Sequence, residues 1–164
     1  MPNRKTEQLQ IRVSAAEKRA IKEKARRAGM NMSDWVLSQV LPSAQSKFQA
    51  LVAELASSDA PGHAFADLLD LLDALSAEEF EQAVAEPPAV ALDAYWQNYV
   101  AATIEHTAGL KHVKPPAWTA EVPPLAEPHF GSSLESLRLH LLVHSPPAFS
   151  QRNIFIDSNV GDRV

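Results

Sequence analysis

The stretch LQIRVSAAEKRAIKEKARRAGMNMSDWVLSQVL, from Leu9 to Leu41, decides how this chain folds. Its first residues, Gln8 to Ser14, alternate strictly, with Leu9, Ile11 and Val13 on one face and Gln8, Gln10 and Arg12 on the other. That is the pattern of a short half-buried strand. Ser14 followed three residues later by Glu17 is a capping box, in which hydroxyl and carboxylate each satisfy a backbone N–H left over at a helix start. A helix is therefore expected from Ala15, with Ala16, Ala20, Ile21, Ala25 and Ala28 inward and lysines and arginines over the rest. Gly29 ends it as a left-handed cap. Met30 and Asn31 form a tight connection, and Ser33 is expected to cap a second helix with Asp34 in its first turn. Trp35, Val36, Leu37, Val40 and Leu41 supply the apolar face of that helix, and Pro42 ends or kinks it.

Three such elements cannot bury a core alone, because domains below ~40 residues usually need staples or oligomerisation. A lone strand is also an unpaired edge. Both difficulties vanish if two chains pair their strands antiparallel across a two-fold axis and interlock their helices. The charge distribution sets the same segment apart. Residues 1–42 carry nine basic and four acidic side chains, a balance of +5, and residues 43–164 carry six basic and sixteen acidic ones, a balance of −10. The total of −5 taken alone would argue against nucleic acid, but its uneven division makes the N-terminal segment a basic module suited to it.

The order strand, capped helix, glycine turn, capped helix resembles the ribbon-helix-helix family of dimeric DNA-binding proteins, in particular the N-terminal domain of bacterial antitoxins and of plasmid mobilisation accessory proteins. The resemblance covers about a fifth of the chain. It implies that a two-stranded ribbon enters the major groove and that outward strand residues read base edges. Here those are Gln8, Gln10 and Arg12, whose side chains suit adenine and guanine respectively. It also implies that Asn31, Met32 and Ser33, at the start of the second helix, meet a phosphate mainly through backbone amides. Arg4 and Lys5 would add phosphate contacts from an N-terminal arm. Leu9, Ile11, Val13, Ile21, Trp35, Val36 and Val40 would form the dimer core.

The acidic remainder divides, on composition, into a helical region 43–110 and a proline-rich arm 111–164. Residues 44–56 place Phe48, Leu51, Val52 and Leu55 at helical spacing, either extending the second helix or forming a third. Residues 57–63 read as a turn around Pro61 and Gly62. Phe65, Leu68, Leu69, Leu72 and Leu75 then mark a helix whose other face carries Asp67, Asp70 and Asp73. Ser76 and Glu79 make a second capping box for a helix to about Ala85, broken by Pro87 and Pro88, and residues 88–109 read as one long helix. Five prolines between Lys111 and Gly131 exclude a helix there. The apolar Val113, Trp118, Val122, Leu125 and Phe130 recur along this arm, so it is expected to lie on a surface, its own or a partner's. Trp118, Val122, Leu125 and Phe130 are the candidate partner-binding residues. A short helix from Ser133 to His144 and a final strand over residues 153–157 complete the chain. The sequence PPAWTAEVPPLAEPHFGSSLESLRLHLLVHSPPAFSQRNIFID also resembles the tail of bacterial proteins encoded beside nucleotidyltransferase-type toxins.

The hydrophobic fraction of 46% excludes a wholly disordered chain, and no apolar run reaches the ~20 residues a membrane-spanning helix needs. The absence of cysteine removes disulfides, thiolate metal sites and a cysteine nucleophile, and with no secretory signal a cytoplasmic location is expected. There is no glycine-rich phosphate loop, nucleophile elbow or HExxH motif. His140 and His144 stand at metal-binding spacing without further ligands, and Glu78, Glu79 and Glu81 suit the first turns of a helix better than acid/base chemistry. The expectation is a mainly α, non-enzymatic protein without cofactor or metal. Its leading role is that of an antitoxin: a homodimer on double-stranded DNA that represses its own operon and neutralises a toxin through its C-terminal part. The alternatives are a plasmid mobilisation accessory protein and a dimeric scaffold that binds no DNA.

Overall fold

The computed structural model describes residues 10–58 and 60–157. The molecule is mainly helical and consists of two compact units, 1–42 and 43–164. In the first unit, α1 (Ala15–Arg27) and α2 (Met32–Val40) pack on each other. The capping box forms as its spacing requires, with Ser14 N–H donating to Glu17 Oε2 at 2.7 Å and Glu17 N–H to Ser14 Oγ at 3.3 Å. The backbone N–H of Ser14, and then its hydroxyl, hold the Glu17 carboxyl below the ordinary glutamate range. At the other end Met30 N–H reaches Ala25 O at 2.9 Å and Gly29 N–H reaches Arg26 O at 3.2 Å. These two bonds are a Schellman closure, and they put Gly29 at φ +68°, where a β-carbon would be strained.

The second unit starts with Ser43, whose side chain caps α3 (Ala44–Ser57), so this segment is a separate helix and no extension of α2. Residues 61–63, expected in a turn, are already helical. Pro61 opens α4 (Pro61–Ala74), because proline's missing N–H costs nothing in the first turn. Helix α5 (Ala77–Ala83) carries its expected capping box, Ser76 with Glu79. Helix α6 (Ala94–Leu110) begins six residues later than periodicity suggested. Asp93 Oδ1 accepts from Trp96 N–H at 2.8 Å and sets that start. The preceding prolines are held by Gln49, whose Nε2 donates to Pro87 O at 3.0 Å and whose Oε1 accepts from Ala89 N–H at 2.8 Å.

Helix α6 is fully buried over residues 98–104 and lies between two cores. On one side Val100, Ile104 and Ala108 meet Phe48, Val52, Leu55, Leu68, Leu72 and Phe80 from α3, α4 and α5. On the other, Tyr99 and Ala102 meet Phe149, Ile154 and Ile156. The apolar residues of α6 are spread over two faces, which suits a helix placed between two cores. Its C-terminus closes by a second Schellman pair, Val113 N–H to Ala108 O and His112 N–H to Gly109 O. The left-handed position falls on His112 at φ 56°.

The proline-rich arm folds onto this body. A 3-10 turn (Ala117–Glu121) is followed by β1 (His129–Phe130), a second 3-10 turn (Glu135–Leu137), α7 (Arg138–His144), the short α8 (Pro147–Ser150) and β2 (Ile154–Phe155). The strands pair in parallel, with His129 opposite Ile154 and Phe130 opposite Phe155. Arg152, 5% exposed, ties the arm to α6. Its Nη2 donates to Glu105 Oε1 and to Thr119 O, each at 2.6 Å, its Nε to Glu105 Oε2 at 3.2 Å, and its Nη1 to Asn98 Oδ1 and Val122 O at 3.3 Å. A guanidinium buried with its donors matched in this way is tolerated where an unmatched one would not be.

Candidate nucleic-acid interface

In the first unit the structure separates residues that belong to the fold from residues offered to a partner. Ala25 is the one fully buried side chain described there. Ile21, Trp35, Val36 and Leu37 are half-buried between the helices, whereas Ala16, Ala20 and Ala28, expected inward, are exposed. Ile11, Val13 and Val40 are 59%, 42% and 71% exposed. One copy of the unit therefore leaves uncovered a set of aliphatic side chains that burial would stabilise by roughly 1.5–3 kcal/mol each.

Residues 10–13 carry no regular secondary structure, so the expected strand is not formed within one chain. The physical reason is that a strand exists only as a ladder, and no described residue of this unit offers backbone partners to it. Gln10 and Arg12 are both exposed on this segment. Gln8, Leu9, Arg4 and Lys5 lie outside the described residues.

The second helix starts elsewhere than Ser33. Asn31 is its N-cap, with Oδ1 accepting from Asp34 N–H at 2.9 Å and Nδ2 donating back to the Asp34 carboxylate. Ser33 is an exposed residue of the first turn. The signal was in the sequence, since Asn31 and Asp34 have the same three-residue spacing as a capping box. Met32 and Ser33 thereby occupy positions whose backbone N–H groups have no acceptor within the helix, which is the property that favours an anion there. Lys18, Arg19, Lys22, Lys24, Arg26 and Arg27 of α1 are all exposed. Arg27 pairs with Glu23 at 2.6 Å, and the Lys24 ammonium sits 5.8 Å from the Trp35 ring centroid. Trp35 thus joins α1 to α2 and is not presented as a reading residue.

The four residues proposed from sequence to hold a partner all pack within the second unit, Val122 fully and the other three in part. Val122 is buried, and Trp118 packs against the first core and donates from Nε1 to Val84 O at 2.9 Å. Leu125 packs against the second core. Phe130 stacks on Phe155 at 5.2 Å, with the Arg138 guanidinium 5.4 Å from its centroid. Apolar residues in a proline-rich segment serve equally to fasten it to its own body, and here they do so. The His140 and His144 rings stack at 4.1 Å, and no cluster of three metal-ligating side chains occurs among the described residues. No described helix is long and apolar enough to cross a membrane.

Two capped helices joined by a left-handed glycine are the helical elements that one half of a ribbon-helix-helix arrangement requires. Residues 3–43 match the NikA-like family model, described as mobilization protein NikA. The match spans about a quarter of the chain and ends one residue past the first unit, so it carries nothing about the body of the second. Among curated proteins and among solved structures, nothing matches the chain.

Proposed function

We propose that the chain is a DNA-binding accessory protein of plasmid mobilisation that acts by binding and not by catalysis. Two copies pair residues 8–14 antiparallel, covering Ile11, Val13 and Val40, and present Gln8, Gln10 and Arg12 to base edges in the major groove. The amides at the start of α2 and the cations of α1 hold phosphates, and Arg4 and Lys5 extend those contacts. The second unit, with its balance of −10, resists lying along a phosphate backbone and serves as the docking body for a protein of the transfer machinery.

The observation that carries this reading is the NikA-like match over residues 3–43, laid on helices whose caps and exposed aliphatics suit a paired ribbon. Of the two tasks that the sequence resemblance allowed, it favours mobilisation over the antitoxin role, and no comparison points to a toxin. The test is duplex binding by the full chain with Gln10→Ala and Arg12→Ala. Each substitution is expected to reduce discrimination between cognate and unrelated duplexes by ~10-fold or more while leaving the dimer intact, in line with ~1–3 kcal/mol per bidentate base contact. Unchanged discrimination in both variants would remove these residues from base reading.

A further inference from the structure

Helix α7 is fastened to the second unit along one side only. Leu141 is buried, whereas Leu139, Leu142 and Val143 are 72%, 49% and 69% exposed. At roughly 100° per residue, spacings of three and four place these three on one side of the helix and Leu141 on the far side. A single exposed aliphatic residue needs no explanation, but a stripe of three on one helix face does.

The charge of the unit singles out the same face. Residues 43–127 hold thirteen acidic and three basic side chains, a balance of −10, whereas residues 128–156 hold Glu135, Arg138 and Arg152 alone, a balance of +1. Arg152 is buried in the anchor of the arm, and Arg138 lies 3.8 Å from Glu135 with its guanidinium 5.4 Å from the Phe130 ring centroid. Asp157, the next carboxylate along the chain, meets His140 at 3.4 Å on the flank of the stripe. A basic partner drawn by the acidity of the unit is drawn to residues 43–127. Two copies of the unit repel each other through those same residues and meet with least repulsion at α7.

We propose that a second copy of this chain covers the stripe, the α7 faces of two chains pairing across a two-fold axis. Such a contact uses the same patch on both copies, and an uncharged aliphatic stripe is complementary to itself. Three side chains from each copy fall well short of the ~800 Å² per partner of a stand-alone specific interface. The contact therefore serves chains that are already joined, and the inference rests on the paired ribbon of the first unit. The second unit begins at Ser43, directly after the last residue of the first, so a ribbon pair tethers its two second units at an effective concentration on the order of millimolar. Two self-contacts on one chain close into a finite assembly when they join the same two copies, and build an open row of chains when they do not. Closure makes the paired second units one two-fold docking body, with the acidic stretches left for another protein.

The experiment uses the full chain, whose lack of cysteine allows a single nitroxide label at Ser133→Cys, an exposed position ahead of α7. The spin-labelled chain is denatured and refolded together with an excess of isotope-labelled parent chain. Paramagnetic broadening is expected at the amides of Leu139, Leu142 and Val143 in the isotope-labelled chain, which the nitroxide reaches only from the other copy. Leu139→Glu combined with Leu142→Glu should abolish that broadening, while sedimentation still reports a dimer and duplex binding persists. Val143→Lys breaks the same face independently and should act in the same direction, and amide spectra that match the parent outside α7 show that the variants fold. A parent dimer without broadening at α7, broadening unchanged in these variants, or a parent chain that sediments above the dimer would each overturn the proposal. A monomeric parent chain that binds no duplex would remove the ribbon and this contact together, whereas a duplex-binding dimer without the broadening would remove this contact alone.

Discussion

The two units differ in how much of their own stabilisation they contain. The second closes on itself: its proline-rich arm, central helix and strand pair bury two cores, and even the buried guanidinium of Arg152 is matched by partners from α6 and from Thr119 and Val122 at the 3-10 turn. The first buries Ala25 and leaves Ile11, Val13 and Val40 exposed. Helices as short as α1 and α2 gain most of their stability from packing and little from intrinsic propensity. In the proposed ribbon a second chain would supply the packing that this unit lacks. Opposite charge balances point the same way, the incomplete +5 unit towards phosphate and the complete −10 unit towards protein.

The contrast is broken most severely at Arg152. Replacing it with alanine strands Glu105, Asn98 and two carbonyl groups around an emptied site, and unfolding of the second unit by urea should show a loss of ~3–5 kcal/mol. Duplex binding through the first unit should survive at temperatures where the variant remains folded. An effect on the other side of the contrast comes from Ile11→Lys. It places a charge where the proposed ribbon buries an aliphatic, and sedimentation should report a dimer for the parent chain and a monomer for the variant, with the loss exceeding the roughly 1.5–3 kcal/mol of a buried aliphatic per chain.

Alkali should separate the units without mutation. Burial pushes the Tyr99 hydroxyl up to about 12 from the usual 10.0, with Tyr95 adding to the effect, and residues 1–42 contain no tyrosine. Because the folded state holds this proton more tightly than the unfolded chain does, its contribution is complete below pH 10 and is lost as pH rises towards 12. The second unit should lose on the order of 2 kcal/mol over that interval, followed by tyrosinate absorbance against circular dichroism. Smaller again is Ser76→Ala, which removes the cap of α5 and should cost about 1 kcal/mol. The backbone N–H of Ser76, and then its hydroxyl, lower the Glu79 pKa, so this contribution is present above the ordinary 4.5 and fades as pH falls through the lowered value. The Ser76 backbone N–H survives the substitution and the bond from Glu79 N–H to Ser76 Oγ does not titrate, so thermal melts of parent and variant should differ by less in acid but should not coincide.

What could be read from the sequence was local. Ser14 with Glu17, Ser76 with Glu79 and Gly29 after α1 are signals contained within four residues, and each produced the predicted cap. Where two candidates competed at short range, spacing alone did not decide. Asn31 displaced Ser33 because the Asp34 carboxylate could answer it. Val90 and Leu92 pack against the first core from irregular backbone, so apolar periodicity carried the expected α6 too far towards the N-terminus. The fastening of the arm was not legible, because Arg152 finds Glu105 across 47 residues and nothing near either residue signals the other. The base-reading residues are the least determined by one chain, since their geometry is a property of the paired ribbon.

The most direct test of the central claim, that the first unit makes this a DNA-binding dimer, is fluorescence anisotropy of the full chain on a labelled duplex from its own locus across a salt series. The account predicts binding at low salt whose log affinity falls linearly with log salt, by roughly 0.9 for each phosphate contacted, and whose stoichiometry is two chains per site. No binding at about 50 mM salt, where a protein neutralising several phosphates binds most tightly, would contradict it.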